Sequence, residues 1–379
     1  LGPGDPALLA KAAALLAGSK RPLLHAGSGV TWAGAAPAFN ALGEHLAAVM
    51  TTTLAARGVV PEDHPQYIHI LNQDALAAAR GEADVVLVVG ARLGELDAWG
   101  KPPLWGQGAT LIHVDADPAS IGLNRPVDVG IVGDAQAALA ALLVQVQAQT
   151  APRPLHDGFA VYGRATAQLQ AQLAQALRPG RQGINSGQMV KAVREFFSRD
   201  SIMVQDGGNT SLWCASYHPI YGPRSYLYTA KFGHLGTGLP YAIGAKLAAP
   251  ERPVYLISGD GAIGFNIQEL ETARRHGAPI IVIVAVDEGW GMERSSQMMA
   301  QMPAFVETEL SPGIRYDQIA AAFGCHGEMV TSLDGLQPAL ARAAAADRPT
   351  LIQVMVDPEI NMAPPGLLEF GSLVYRATD

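Results

Sequence analysis

Two aspartates follow neighbouring apolar runs in the second half of the sequence. Asp260 lies in SGDG, directly after PVYLI, and Asp287 lies in DEG, directly after PIIVIVAV. In a parallel sheet the ends of adjacent strands face one edge, and α/β proteins place ligands at that edge. Two carboxylates there can hold a cation between them. The first prediction is therefore a magnesium site at the ends of two strands.

The glycines on both sides of Asp260 favour a ligand that carries phosphate. Gly259 and Gly261 allow a tight turn and a close approach of the backbone, and a helix that begins here would present N–H groups to an anion. Because an aspartate repels phosphate, a cation is needed between them, and Mg²⁺ with a diphosphate meets this need. The carbonyl of Gly289 can supply a third ligand beside Asp260 and Asp287. A strand-ending turn without a ligand is the alternative for GDG taken alone.

Alternating strand and helix patterns predict an α/β fold with two Rossmann-like parallel-sheet domains. Short apolar runs such as DVVLVVGAR and TLIHVDADP alternate with Ala-rich stretches of helical length, and the pattern repeats in the second half. The best-defined helix of that half is predicted over residues 266–276. The predicted domains are a central nucleotide-binding-like domain over 1–150, a linker with a helix over 151–183, a diphosphate-binding domain over 184–360 and a tail over 361–379.

Composition excludes two classes of partner. The 379-residue chain has a net charge of −8 and no Lys/Arg-rich run, which argues against nucleic acid. No apolar run approaches the ~18 residues of a membrane-spanning helix, and no signal peptide pattern is present. The two cysteines, Cys214 and Cys325, fit no metal-ligand spacing and predict buried thiols in a reducing compartment. We therefore expect a cytoplasmic protein that acts on small molecules.

The GDG segment resembles a known family. GDGAIGFNIQELETA is similar to thiamine-diphosphate-dependent enzymes of the acetolactate synthase, benzaldehyde lyase and 2-hydroxyacyl-CoA lyase or oxalyl-CoA decarboxylase branch. The family signature is GDG followed, after some two dozen residues, by two asparagines; here Val286 and Asp287 replace them, and Asp287 matches the metal-binding one. The resemblance implies thiamine diphosphate and Mg²⁺ as cofactors. It places Asp260, Asp287 and the Gly289 carbonyl on the metal, and the Gly261 and Ala262 amides near the diphosphate.

Two more segments extend the resemblance. AKFGHLGTGLPYAIGAKLA implies that Leu235 lies under the cofactor and bends it, where many relatives carry Met; a plain core residue is the alternative. QDGGNTSLW resembles the loop that meets the diphosphate, which makes Asn209 and Thr210 candidate hydrogen-bond donors. The candidates for the substrate side of the pocket are Trp290 and Met292; a packed aromatic without contact to substrate is the alternative. No catalytic residue is identified; the nearest candidate proton carrier is His234, for which a structural role is the alternative.

The first half resembles the family's central domain through KRPLLHAGSG, RGVVPEDHP and GARLGEL. In relatives this domain binds FAD, ADP, a CoA adenylate or nothing. GSGVTW keeps Gly27 and Gly29 of a dinucleotide fingerprint but has Trp32 in place of the third glycine. We therefore predict an ordinary strand–helix turn here.

The resemblance covers the central and diphosphate-binding domains, whereas relatives also have an N-terminal pyrimidine-binding domain. A glutamate of that domain activates the cofactor, and no segment here resembles it; Glu44, in ALGEHLAA, lies on a predicted surface helix. The chain also begins with Leu rather than Met. We therefore expect a fragment, or one subunit of a split enzyme, that is inactive alone. Its partner in a homo- or hetero-oligomer, a dimer or tetramer, would supply the missing domain.

The implied reaction is the cleavage or formation of a C–C bond next to a carbonyl group, with thiamine diphosphate as the electron sink. The first expectation is an acetolactate-synthase-like carboligase or decarboxylase that acts on a 2-keto acid. A 2-hydroxyacyl-CoA lyase or oxalyl-CoA decarboxylase is the alternative, because the segment GARLGELDAWG is more similar to the CoA-using lyases. A non-catalytic nucleotide-binding subunit is the alternative of another class. A Mg²⁺-dependent phosphohydrolase lacks the support of a DxDxT-like nucleophile motif.

Overall fold

The apolar runs of the sequence form eleven strands in residues 1–229 and 232–367, the part of the chain that the computed structural model describes. Contacts divide this part into unit 1, Leu1–Gln172 with Ile220–Arg224, and unit 2, Leu173–Pro219 with Ser225–Leu367. Each unit contains one sheet, and the paired strands of both sheets are parallel. The predicted fold class, α/β with two parallel-sheet domains, is confirmed.

Unit 1 has a five-stranded sheet in the order β2-β1-β3-β4-β5. Its strands are β1 Pro22–Ala26, β2 Val49–Thr52, β3 Val85–Val89, β4 Thr110–Asp115 and β5 Val129–Val132. Its α-helices are α1 Pro6–Gly18, α2 Ser28–Trp32, α3 Ala36–Leu46, α4 Gln73–Glu82 and α5 Ala135–Gln147, with α6 Gly158–Ala176 at the division between units. Short 3₁₀ helices lie at Leu54–Ala56, Glu95–Gly100 and Pro118–Ser120.

Both faces of this sheet are covered, as the continuous apolar strands predict. Along β3, Leu87 packs into the core on one face, whereas Val86 and Val88 pack into the core on the other. Since successive side chains of a strand point to opposite faces, a strand buried on both faces must be apolar throughout. All five residues of β3 are buried accordingly.

The segment predicted as a linker with a helix contains α6. In unit 1 the Tyr162 hydroxyl donates to the carboxylate of Glu82 at 3.1 Å, and the Asn72 amide donates to the Thr166 hydroxyl at 2.9 Å. The first part of α6 is therefore held by side-chain hydrogen bonds to α4 and to the residue that caps it. The predicted boundaries at residues 150 and 184 stay predictions.

Unit 2 has a six-stranded sheet in the order β10-β11-β9-β8-β6-β7. Its strands are β6 Ile202–Gln205, β7 Tyr226–Leu227, β8 Val254–Gly259, β9 Ile281–Val286, β10 His326–Val330 and β11 Thr350–Met355. Its helices are α7 Ser186–Phe196, α8 Asn209–Tyr217, α9 Gly238–Ala248, α10 Asp260–Ile263, α11 Glu269–Arg275, α12 Gly291–Met299, α13 Tyr316–Ala322, α14 Leu333–Ala345 and α15 Pro358–Asn361.

The strand order of unit 2 predicts a ligand-binding crevice at one edge of the sheet. From β6 the chain adds β7 on one side and then β8 on the other, so the direction of strand addition reverses between β6 and β8. In open α/β sheets such a reversal leaves a crevice at the carboxyl ends of the two strands, where ligands bind. Asp206 follows β6, and Gly259 with Asp260 stands at the end of β8.

The helix predicted over residues 266–276 begins later than expected. Helix α11 spans Glu269–Arg275, and the residues before it form turns in which the N–H of Asn266 bonds the carbonyl of Ile263. The Asn266 side chain donates to a neighbouring loop instead of starting the helix. The predicted end is confirmed, since His276 caps the helix and Gly277 follows with a φ of 59°.

The remaining predictions on the described residues concern the thiols and the membrane. Cys214 and Cys325 are both buried thiols, as predicted. Within residues 1–229 and 232–367, no helix combines the length and the apolar character needed to cross a membrane.

Candidate functional site

The two aspartates stand at the ends of adjacent strands of unit 2. β8 and β9 pair from Tyr255↔Ile281 to Gly259↔Ala285, and each aspartate follows its strand. Asp260 is only 3% exposed and Asp287 only 8%. One oxygen of Asp260 accepts the N–H of Gly261 at 2.8 Å, and the other accepts the N–H of Glu288 at 2.8 Å. The Asp260 carboxylate therefore ties the turn after β8 to the turn after β9.

Burial makes it unfavourable for the two carboxylates to be ionised at the same time. Burial and the neighbouring charge of Asp287 raise the pKa of Asp260 to about 7. Burial also raises the pKa of Asp287, although a hydrogen bond from Asn361 and the charge of Arg294 oppose the rise. A divalent cation between two carboxylates relieves both the loss of hydration and the repulsion. The residues present therefore fit a divalent metal ion.

The turn after β9 is held in a fixed conformation. Glu288 has a φ of 57°, and Gly289 forms an isolated antiparallel bridge with Glu309. The carbonyl of Gly289, the predicted third ligand, accepts the N–H of Gly291 at 3.1 Å. A carbonyl oxygen has two lone pairs, so this bond leaves one of them for a metal ion.

An arginine that the sequence reasoning did not single out lies against this turn. A Cβ on Gly289 would meet the guanidinium carbon of Arg294 at 2.6 Å, so the guanidinium occupies the space that the missing side chain leaves. Its Nε donates to the Thr308 hydroxyl at 3.4 Å. Arg294 supplies positive charge beside Asp287. Asp287 stands where the family signature has the second asparagine, so it carries a negative charge that the signature lacks. The sequence gives one indication of this role, namely that Arg294 lies in the first helical turn after the DEG motif.

Asn361 is a second residue that the sequence reasoning missed. Its side-chain NH₂ donates to Asp287 at 2.8 Å, and its side-chain oxygen accepts the Ser186 hydroxyl at 2.7 Å. Its backbone carbonyl accepts from the side chains of Asn209 and Trp213, each at 3.2 Å. Asn361 thus connects the predicted metal ligand to the predicted diphosphate loop, and no motif in PEIN points to this role.

The predicted diphosphate residues lie at the start of α8. Asn209 is 3% exposed, and its NH₂ donates to Ser295 as well as to the Asn361 carbonyl. Its side-chain oxygen is buried without a hydrogen-bond partner among the described residues. A Cβ on Gly259 would meet the Thr210 hydroxyl oxygen at 3.0 Å, which places Thr210 beside the GDG turn.

The predicted pocket residues fall into two groups. The Trp290 ring covers Gly261, whose absent Cβ would meet it at 2.7 Å, and makes an edge contact with Phe265 at 6.1 Å between ring centres. Met292 packs against Gly208 instead, because a Cβ added to Gly208 would lie 2.5 Å from the Cβ of Met292. Trp290 is thus next to the GDG turn, and Met292 is next to the loop before Asn209.

The Leu235 loop adjoins the first of these groups. Leu235 is half-buried and His234 is exposed. A Cβ on Gly236, the next residue, would meet the Cβ of Phe265 at 2.6 Å. The structure therefore brings the Leu235 loop, Phe265 and the Trp290 ring to one part of the sheet edge.

No group of three or more His, Cys, Asp or Glu side chains gathers in a metal-binding arrangement in the described ranges 1–229 and 232–367. The predicted magnesium site takes only two carboxylates from side chains, and it stays a prediction.

The glycine turn of unit 1 is a strand–helix turn, as predicted, between β1 and α2. Its N–H groups are used within the protein: Gly27 donates to the Val89 carbonyl at 2.8 Å and Gly29 to the Gly90 carbonyl at 3.1 Å. Trp32, in place of the third glycine, is 72% exposed. These two N–H groups are therefore not available to a nucleotide phosphate.

Glu44 lies on α3 with its side chain 57% exposed and 3.2 Å from the Nε2 atom of His64. This position agrees with the predicted surface helix. An activating group of the kind that the resemblance implies acts in a water-excluded pocket, so the exposure of Glu44 argues against that role.

Two family models match the chain. Residues 206–354 match "Thiamine pyrophosphate enzyme, C-terminal TPP binding domain", and residues 9–142 match "Thiamine pyrophosphate enzyme, central domain". The first match contains both aspartates, the Leu235 loop and the Asn209 loop.

Curated relatives match over nearly the whole chain. An acetolactate synthase large subunit of Mycobacterium tuberculosis is 34% identical over 354 residues, 93% of this chain and 62% of that protein. The isozyme 2 large subunit of acetolactate synthase from Escherichia coli is 31% identical over 361 residues, 93% of this chain and 63% of that protein. A sulfoacetaldehyde acetyltransferase of Rhodobacter capsulatus is 32% identical over 381 residues, 94% of this chain and 64% of that protein.

The chain spans less than two thirds of the length of these relatives. Within that span, the order of the two matched domains agrees with the order of the two sheets. With central and C-terminal domains both matched, the chain belongs to the thiamine pyrophosphate enzyme family.

Proposed function

We propose that this chain provides the diphosphate- and Mg²⁺-binding part of an enzyme that forms or cleaves a C–C bond next to a carbonyl group. The observation that carries the proposal is the pair of buried carboxylates, Asp260 and Asp287, at the ends of adjacent strands. A shared divalent cation would offset the burial and the repulsion from Asp287 that together raise the pKa of Asp260. The match to the C-terminal TPP binding domain supports the same assignment.

The proposed metal ligands are Asp260, Asp287 and the Gly289 carbonyl. Gly259 and Gly261 form the turn that faces the diphosphate. Because the N–H of Gly261 is donated to Asp260, the amide that we propose for the diphosphate is that of Ala262.

Asn209 and Thr210 are proposed to meet the diphosphate from the β6 side of the crevice. Thr210 can donate its hydroxyl to a phosphate oxygen. The NH₂ of Asn209 is bonded to Ser295 and Asn361, so Asn209 would order the loop, and a direct bond to a phosphate oxygen would require this NH₂ to change partners. The side-chain oxygen of Asn209 only accepts hydrogen bonds, so it does not bind a phosphate oxygen.

The remaining residues would shape the pocket above the metal. Leu235 is proposed to support the cofactor from below, Trp290 and Met292 to exclude water on the substrate side, and His234 to hold or move a proton. When bound, thiamine diphosphate supplies the carbon nucleophile and the electron sink for the reaction.

A 2-keto acid is the proposed substrate, and the names of the acetolactate synthase relatives support this class. We also propose that activity needs a pyrimidine-binding domain with an activating glutamate, from the same polypeptide or from a partner subunit in an oligomer. The extra length of the relatives, of which this chain covers 62–64%, supports that requirement.

Calorimetric titration with thiamine diphosphate tests the proposed site directly. We expect binding in the presence of Mg²⁺ that EDTA abolishes and that the substitution Asp260→Ala also abolishes. Glu269→Gln is the matched control, because Glu269 is a partly buried carboxylate of α11 that bonds Thr272 and not the turns. Binding that survives both EDTA and Asp260→Ala would contradict the metal bridge.

Absence of binding calls for a second titration, on the chain assembled with a pyrimidine-binding domain. Binding by the assembly alone would indicate that the two domains complete one site. Absence of binding there as well would overturn the proposed function.

A further inference from the structure

The loop that carries Leu235 is held at the residue before it. The hydroxyl oxygens of Thr229 and Thr237 each lie 3.3 Å from the backbone carbonyl oxygen of His234, and they lie 3.2 Å from each other. Since each hydroxyl has one proton, one of them donates to the carbonyl and the other donates either to the carbonyl or to the first hydroxyl. The peptide group that leads into Leu235 is therefore fixed on its carbonyl side.

A buried carboxylate holds the residues after Leu235. Asp206 is 3% exposed, and one of its oxygens accepts the N–H of Gly238 at 2.8 Å. The Gly236 N–H also bonds this carboxylate. The other oxygen accepts the N–H of Gly207 at 2.8 Å. Asp206 thus joins the Leu235 loop to the glycine loop that precedes Asn209.

The side-chain amide of Asn266 also holds the Leu235 loop, through the carbonyl of Gly236. The NH₂ of Asn266 donates to the Gly236 carbonyl at 2.6 Å. Gly236 has a φ of 85°, and an added Cβ there would meet Phe265 at 2.6 Å and Asn266 at 3.0 Å. A glycine in a left-handed conformation is therefore required between the two clamping side chains.

We infer that Asp206 and Asn266 are positioning residues that hold the Leu235 backbone in place for the thiamine ring of the cofactor. The inference rests on the proposed function, which places Leu235 under that ring. Neither side chain has a role in the predicted site. Both can act through Leu235, since their hydrogen bonds to this loop end on the backbone of Gly236 and Gly238.

The physical reason is preorganisation. The loop before α9 lies outside the helices and strands at 232–237, and two of its residues, Phe232 and His234, are exposed. A half-buried leucine on a mobile loop would lose backbone entropy when it packed against a ligand, and that loss would weaken binding. Hydrogen bonds on both sides of Leu235 order the loop in the ligand-free chain, so less backbone entropy is lost when the ligand binds.

Amide hydrogen exchange of the cofactor-free chain tests the clamp itself. We expect Asn266→Ala and Asp206→Asn to speed exchange across residues 235–238 by about tenfold, the effect of losing one buried hydrogen bond. Exchange in β8 and β9 should stay as in the wild type. The control is Asp84→Asn in unit 1, which removes a carboxylate that also accepts two backbone N–H groups, those of Lys20 and Arg21. Unchanged exchange at 235–238 in both variants would overturn the clamp.

Binding measurements test the link to the cofactor. With Mg²⁺ present, Asn266→Ala should weaken thiamine diphosphate binding by about tenfold and leave inorganic diphosphate binding unchanged, because Leu235 would contact only the thiamine part. In the Leu235→Ala background, Asn266→Ala should cause no further loss, as expected of residues that act through one another. Equal weakening of both ligands, or full additivity, would contradict the positioning role.

The two experiments separate the inference from the proposed function. If the wild-type chain and its assembly bind no thiamine diphosphate, the proposed function fails and the cofactor role of the clamp fails with it. If thiamine diphosphate binds normally to variants whose loop exchanges faster, the proposed function stands and the positioning role is wrong.

Discussion

Asn361, the last residue of α15, donates its side-chain NH₂ to the carboxylate of Asp287 at 2.8 Å across a separation of 74 residues. The Ser186 hydroxyl donates to the other end of the same amide at 2.7 Å. Because an ionised carboxylate only accepts hydrogen bonds, the NH₂ faces Asp287 and the amide oxygen faces the Ser186 hydroxyl. This bond favours the charged form of the carboxylate and sets its direction at the strand end.

The substitution Asn361→Asp should destabilise the metal-free chain by about 2–4 kcal/mol, since it places two buried carboxylates face to face. The free energy of unfolding in urea measures the change. The exchanged pair, Asn361→Asp with Asp287→Asn, restores one amide and one carboxylate and should recover most of the loss. A single variant as stable as the wild type would show that the contact does not matter.

The metal-free chain should lose stability as the pH rises from about 4 to about 7. Asp260 has a pKa of about 7 in the folded chain, against a reference value of 3.8. Between these values the folded chain keeps a proton that the unfolded chain has lost, so unfolding releases it and becomes easier at higher pH. The full effect is on the order of 4 kcal/mol at most. Unfolding curves of the wild type and Asp260→Asn, measured in EDTA, should converge at low pH; parallel curves over this range would contradict the prediction.

Gly261→Ala should destabilise the chain by about 1–3 kcal/mol, because the new methyl group would overlap the Trp290 ring at 2.7 Å. Trp290 is expected to move, and its fluorescence emission should shift. Gly244→Ala is the matched control: Gly244 lies in α9 with no atom within 4 Å of an added Cβ, so alanine should stabilise the helix by about 0.5–1 kcal/mol. Equal effects of the two substitutions would be inconsistent with the Trp290 contact.

Both thiols should be unreactive in the native chain. Cys214 is 0% exposed and Cys325 is 7% exposed. Burial also raises the pKa of Cys325, which lowers the amount of the reactive thiolate. Titration with a thiol reagent should show no rapid reaction until the chain is unfolded, and then two thiols per chain. Rapid labelling of one cysteine in the native protein would disprove the buried assignment.

The correct predictions came from patterns of residues that are close along the chain. The apolar runs predicted parallel strands because a strand buried on both faces must be apolar throughout, as in β3. The GDG and DEG motifs predicted that Asp260 and Asp287 would end neighbouring strands. The start of α11 was predicted too early because the propensity of residues 266–268 carried no sign that Asn266 bonds the Gly236 carbonyl.

The sequence by itself determined the two α/β domains, the family and the two aspartates, because each depends on residues that are close along the chain. The tertiary structure alone decided that Asn361 faces Asp287, that Arg294 fills the space above Gly289 and that Asp206 and Asn266 clamp the Leu235 loop. Apart from the Arg294 contact, which lies within the segment after β9, these contacts join segments that follow different strands, and their distances along the chain follow no period. They form only when the parallel sheet brings its strand ends to one edge, where buried polar groups must find partners.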